Sequence, residues 1–322
     1  MAGEAVAAVA QVAAVAQVAG VAVAAVAQVA EVAQVAEVAV AEVAEVVAGA
    51  VAASNILAGV VRTAGTKHPA AMLALTHAPS PRMDQCLLTF LDRQPIDCDL
   101  AQQQHHAYCQ MLRRAGVRVR TLQTHLRSPD AAFIEDTAII LDEIAILTSP
   151  GNAARRRELV AVERELADLH IIRRIEPPAM LEGGDVLRIR RELLVGLSSR
   201  TNSKGIETLT QIVEPCGYRV IPIPVDHCLH LKTACTALND HTLLVNPDWI
   251  DTAKLSGFNL LSVPAGEPWA ANVIRLNHHI YLPAAHRQTA TLLRQSGFQI
   301  HTLELSEFAK AEGGISCLSL LA

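Results

Sequence analysis

Leu112-Arg-Arg-Ala-Gly116-Val-Arg-Val-Arg-Thr-Leu122 recurs as Leu293-Arg-Gln-Ser-Gly297-Phe-Gln-Ile-His-Thr-Leu303, and the reading of this pair decides the fold. Each copy runs as a helical pattern into a glycine, the residue that most readily turns left-handed past a helix C-terminus, and then directly into an alternating strand. Shorter echoes stand at Gly217-Tyr-Arg-Val220 and Gly257-Phe-Asn-Leu260. The glycines at 116, 217, 257 and 297 leave one wide interval, which accommodates a further copy near Leu169 after the helix-like run 154–168. Five units of about 40 to 50 residues result. Hairpin-like apolar stretches at 137–148, 186–197 and 242–246 lie between them. Units of this size form a solenoid or a closed ring, and five suit one α/β ring with loops converging on an axis.

Composition supports a single folded part. The chain has 322 residues, 51% apolar and 18% charged, with a formal charge of −5. Residues 3–53 use only Ala, Val, Gln, Glu and Gly, with valine recurring every three residues inside a 17-residue block. On a helix that spacing carries valine around every side, so no apolar stripe forms. We therefore expect a low-complexity extension and linker over 1–71 and a catalytic domain over 72–322. Ala is nearly neutral for bilayer insertion, and Gln11, Gln17 and Gln28 count against a membrane anchor. Residues 72–322 hold 25 bases against 27 acids, which argues against a nucleic-acid surface. Seven cysteines without a CxxC pair or a regular even framework suggest a reducing, cytoplasmic setting. A homodimer is compatible with the chain and not specified by it.

Acids inside apolar runs need a reason, because a buried charge is expensive. Phe133-Ile-Glu135-Asp136-Thr-Ala-Ile-Ile140 reads as a strand with adjacent carboxylates on opposite faces. Glu182-Gly-Gly-Asp185 puts two more before a strand, with glycines that allow close backbone approach. Cys228-Leu-His230-Leu-Lys232-Thr233 alternates, which predicts His230 and Lys232 on one strand face. Gly313-Gly314-Ile-Ser316-Cys317 presents a thiol after a diglycine able to bend toward a cleft. Acids of this kind suit an organic cation better than a metal, and no metal site is expected.

Together these pieces resemble the pentein, or guanidine-modifying, superfamily, and most closely the dimethylarginine dimethylaminohydrolase family. The matching stretches are FIEDT (133–137), LEGGDVL (181–187), LHLKT (229–233) and GGISCLSL (313–320), joined by SPD at 128–130, PGNAARRRE at 150–158 and the SSRTN motif around Arg200. Their order and spacing agree over about 72–322. The resemblance implies a pentein-type five-bladed α/β propeller of ββαβ units with pseudo-fivefold symmetry. It implies a cysteine-dependent hydrolase that converts Nω-methylated L-arginine to citrulline and dimethylamine or methylamine, without a cofactor. Cys317 would be the nucleophile, His230 the general acid and then base, and Glu182 the group that orients the imidazole. Asp136 with Glu135 would grip the guanidinium, Arg155 and Arg200 the substrate carboxylate, and Asp130 its ammonium. Segment 80–97 falls where the family carries a lid, with Leu87 offering a backbone contact, and Ala311 stands at the facing position. Glu312 departs from the Asp usual before the diglycine. The rivals are an arginine deiminase, a non-catalytic binder of arginine derivatives, and a scaffold anchored through the N-terminal tract. A Lys at 232 in place of a second acid favours a methylated substrate over plain arginine.

Overall fold

The computed structural model describes residues 72–322, so the extension expected over 1–71 lies outside the described residues. Helix α1 (Cys98–Arg114) is set by its ends: Asp97 accepts from the amides of Asp99 and Leu100, and Arg113 and Arg114 sit at the negative end of the dipole. Gly116, at φ +84°, then turns the chain into β2 (Arg118–Leu122), which lies parallel to β1 (Leu73–His77).

The second unit supplies the full pattern. β3 (Ala138–Ile140) and β4 (Ile144–Leu147) make an antiparallel hairpin, α2 (Leu159–Ala167) crosses over, and β5 (Ile171–Arg174) returns parallel to β4. The third unit is β6 (Val186–Ile189), β7 (Glu192–Leu197), α3 (Ser203–Val213) and β8 (Arg219–Pro224). A short helix, α4 (Leu231–Ala234), leads into the fourth, made of β9 (Cys235–Ala237), β10 (Thr242–Val245) and β11 (Asn259–Ser262). The fifth is β12 (Ile274–Leu276), β13 (His279–Pro283), α5 (Arg287–Gln295) and β14 (Gln299–Leu303). The first unit takes its antiparallel strand from the other end of the chain, because β15 (Leu320–Leu321) pairs with β1. Five three-stranded sheets result, which is the α/β ring read from the glycine echoes.

The middle strand of each sheet is flanked on both sides, and its composition follows. β4 is buried along its whole length, whereas β5, an outer strand, is largely exposed and carries Arg173 and Arg174. Among the described residues no helix is long and apolar enough to cross a membrane, and all seven cysteines are free thiols.

Three local expectations are corrected, and the further copy expected near Leu169 is found. Gly116, Gly217 and Gly297 have positive φ, but Gly257 does not, because the fourth crossover is only a single 3-10 turn, Thr252–Leu255. The unit near Leu169 closes without glycine, the amides of Leu169 and His170 both bonding back to the Leu166 carbonyl. Ile134–Thr137 is a 3-10 turn rather than a strand, since the Asp136 amide bonds back to the Phe133 carbonyl and Thr137 Oγ1 to the Ile134 carbonyl before β3 begins. His230 is extended, but Lys232 lies inside α4, so the two share no strand face.

A Cβ added at Gly297 or at Gly257 meets nothing within 4 Å, so only backbone conformation separates them. Gly297→Ala should lower the unfolding free energy by about 1–2 kcal/mol, the cost of a left-handed non-glycine residue. Gly257→Ala should leave it nearly unchanged, and urea denaturation read by circular dichroism distinguishes the two.

Candidate active site

The turns that precede the hairpin strands converge from four parts of the chain. The 3-10 turn Ile134–Thr137 buries Asp136, the turn Gly183–Asp185 follows buried Glu182, His230 precedes α4, and the turn Ser316–Leu318 carries Cys317. Asp136, Glu182, His230 and Cys317 line one cleft together with Asp130, Arg155, Arg200, Leu87 and Ala311. All the residues singled out from sequence therefore meet here, except one. Glu135 lies outside this cleft: it accepts from Lys232 Nζ at 2.5 Å and from Ser316 Oγ at 2.9 Å. In a 3-10 turn neighbouring side chains diverge by about a third of a circle, so adjacent acids serve different partners.

Hydrogen bonds fix the four central groups. Glu182 Oε2 bonds His230 Nε2 at 2.8 Å, and Asp136 Oδ1 stands 3.7 Å from the same nitrogen. Gly184 makes this packing feasible, because a Cβ there would lie 2.6 Å from His230 Nδ1 and 2.9 Å from Asp136 Oδ1. The close approach that the diglycine permits is thus to the imidazole, and the Gly184 amide donates to Asp136 Oδ1 at 3.2 Å. Cys317 Sγ receives the Gly314 amide at 3.3 Å.

Three supporting residues were given no role by the sequence reading. Asp185, fully buried, accepts from Ser198 Oγ, Thr201 Oγ1 and the Leu231 amide, and so holds the residue after His230. It stands in the same acidic motif as Glu182, which was a usable signal. Asn272 binds both the amide and the hydroxyl of Ser316 and the Lys232 carbonyl, tying the Cys317 turn to α4. Nothing in the Ala-Ala-Asn sequence around it marks that role. Glu158 bonds Arg155 and was overlooked at the end of its own motif.

Arg155 is committed within the protein. It donates to Asp136 Oδ2 at 2.5 Å, to Glu158 and to the Phe133 carbonyl, and is 5% exposed. Arg200 is less constrained: it reaches Thr89 Oγ1 at 3.2 Å and approaches Glu182 Oε1 to 3.6 Å, an oxygen that has no hydrogen-bond partner among the described residues. Asp130 Oδ1 accepts from the Leu87 amide. The free space left in the cleft is about 20 Å³, enough for about one water.

Burial raises the Cys317 thiol above its ordinary range, and Glu135 and Asp136 add to the effect. Burial works against charge on His230, but Asp136 and the Glu182 hydrogen bond outweigh it and push the imidazole up to about 9. Asp136 is held low despite burial by His230 and Arg155. At neutral pH the cleft consequently holds a thiol and an imidazolium. Asp136, Glu182 and His230 have ligand atoms within 4.8 Å of one another, a spacing that a metal could use. Within the protein those atoms already have partners, Arg155 on Asp136 Oδ2 and Glu182 Oε2 on His230 Nε2.

Comparison with known proteins agrees with this arrangement. The family model for eukaryotic N,N dimethylarginine dimethylhydrolase matches residues 91–257. The N(G),N(G)-dimethylarginine dimethylaminohydrolase of Streptomyces coelicolor is 35% identical over 249 residues, covering 77% of this chain and 95% of its own. Two solved structures superpose with a TM-score of 0.74 and 28% identity over 78% of this chain. One is the Pseudomonas aeruginosa enzyme, a cysteine-to-serine mutant complexed with citrulline, 98% covered. The other is a dimethylarginine dimethylaminohydrolase with a histidine-to-glycine change, an adduct with S-methyl-L-thiocitrulline, 99% covered. A ring of five units with a thiol, an imidazole and paired acids in one cleft defines a hydrolase of the pentein superfamily. Within it, the chain belongs to the dimethylarginine dimethylaminohydrolase family.

The folded-state value for His230 lies above the ordinary 6.5, so its stabilising contribution is full below that pH and is lost as pH climbs through about 9. An NMR titration of the His230 ring should show a midpoint near 9, and Asp136→Asn should lower it by removing the strongest of the raising influences.

Proposed function

We propose that this chain hydrolyses Nω-methylated L-arginine to L-citrulline and dimethylamine or methylamine through a covalent Cys317 adduct. The carrying observation is that Cys317, His230, Glu182 and Asp136, drawn from four separated turns, line a single cleft. A guanidinium resists attack because its charge is delocalised, so the site must hold the cation, aim a thiolate at its central carbon and protonate the departing amine. The unpartnered Glu182 Oε1 and the Asp136 carboxylate offer acceptors for the cation. The arriving positive charge and the imidazolium together favour the thiolate, offsetting the burial that raises the thiol in the empty site.

Thiolate attack forms a C–S bond, and the bond to the methylated nitrogen breaks as His230 delivers its proton to the amine. Water then adds to the thiouronium carbon, His230 takes its proton, and the C–S bond breaks to leave the urea group of citrulline. Glu182 keeps the ring oriented through both transfers. Arg200 is the carboxylate clamp that remains free to move, whereas Arg155 acts by holding Asp136. Asp130 takes the ammonium and Leu87 with Ala311 borders that end. Engagement of Glu135 by Lys232 and Ser316 leaves the cleft short of the further acid that an unmethylated guanidinium would use.

Product analysis by mass spectrometry, with asymmetric dimethylarginine, arginine and agmatine in competition, tests the reading. Citrulline with dimethylamine is expected, and ammonia from plain arginine overturns it in favour of a deiminase. Cys317→Ser should lower turnover by about 10³ or more, the scale of losing a nucleophile.

A further inference from the structure

We propose that Glu312 is a specificity residue whose Oε2 receives the α-ammonium of the substrate while its Oε1 holds the lid over it. This rests on the amino-acid substrate class proposed above and deepens it. Glu312 is 8% exposed and sits at φ +59°, a left-handed conformation that a residue with a side chain adopts only when its surroundings impose it. The imposition is visible. Oε1 accepts from three successive lid amides, those of Thr89, Phe90 and Leu91, at 2.9, 2.5 and 2.7 Å. Such a run of amides around one oxygen is a built anion seat.

The second oxygen has no counterpart to this. Oε2 is sealed from solvent and has no hydrogen-bond partner among the described residues. A carboxylate oxygen left in that state is strongly penalised unless a donor arrives. Glu312 lines the same cleft as Cys317, together with Asp130, Leu87 and Ala311. An ammonium carries three donors and Asp130 has one oxygen already committed to the Leu87 amide, so a second acid there completes the acceptor set. The same side chain then joins ligand and lid: Thr89, held by Glu312 through its amide, is held by Arg200 through its hydroxyl.

A latch for the lid and an ammonium receptor predict different behaviour for Glu312→Gln. The amide oxygen of Gln can still accept from the lid, but its NH2 group faces an ammonium with donors instead of an acceptor. Steady-state kinetics should compare Nω-methyl-L-arginine with its desamino counterpart, 5-(Nω-methylguanidino)pentanoate, as substrate or competitive inhibitor. For E312Q we expect KM for methylarginine to rise by about tenfold or more, with the constant for the desamino compound within about twofold of wild type. An equal change for both compounds, or no change for either, overturns the assignment. Should E312Q not fold, E312A, which removes both oxygens, should still raise the KM for methylarginine by more than it changes the constant for the desamino compound. A wild-type protein that turns over no methylarginine and binds neither compound overturns the parent reading and this one with it.

Discussion

A carboxylate removed from water must be met by donors, and the way Asp136 is met organises this molecule. Its Oδ2 binds Arg155, its Oδ1 takes the Gly184 amide and faces His230, and each partner comes from a different stretch of chain. Arg155 is itself buried and is balanced by Glu158 and by the Phe133 carbonyl. Removing one member would leave an uncompensated charge in the interior, so the turns before the hairpins are locked as a set. The ring brings those turns together, and the ion network holds their side chains in place.

The same constraint sets the resting chemistry. Acids crowded around a buried imidazole keep it protonated, and the acids nearest the thiol, added to its burial, keep it neutral. In the proposed reaction a bound cation would favour the thiolate, and His230 would keep its proton for the leaving amine.

Adjacent carboxylates in this chain have separate uses because the backbone between them turns. Glu135 pairs with Lys232 and Ser316 outside the cleft, while Asp136 lines it beside His230. On the other side the segment 80–97 is tied to Glu312 through backbone amides, and Arg93 closes it on itself at the carbonyls of Asp84 and Cys86. Contacts of this kind can be released and remade as units, which fits a cleft that is nearly filled when empty.

The architecture was legible because a helix, a left-handed glycine and a strand repeat in linear order, and local stereochemistry requires glycine at 116, 217 and 297. Chemical types were legible too: acids within apolar runs, a histidine and a late cysteine announce themselves whatever surrounds them. The strand assigned to Glu135 and Asp136 and the shared face of His230 and Lys232 were not, since alternation of residue types over a few positions also suits a 3-10 turn stabilised from outside. Nor could residue order reveal that Arg155 is committed to Asp136, that Asn272 ties down the Cys317 turn, or that one oxygen of Glu312 is left without a donor. Sequence by itself determined which groups were available and the repeating path of the chain. Only the tertiary structure decided which of them meet, because a charge in the interior chooses its partner by distance through space, and distance along the chain carries no record of it.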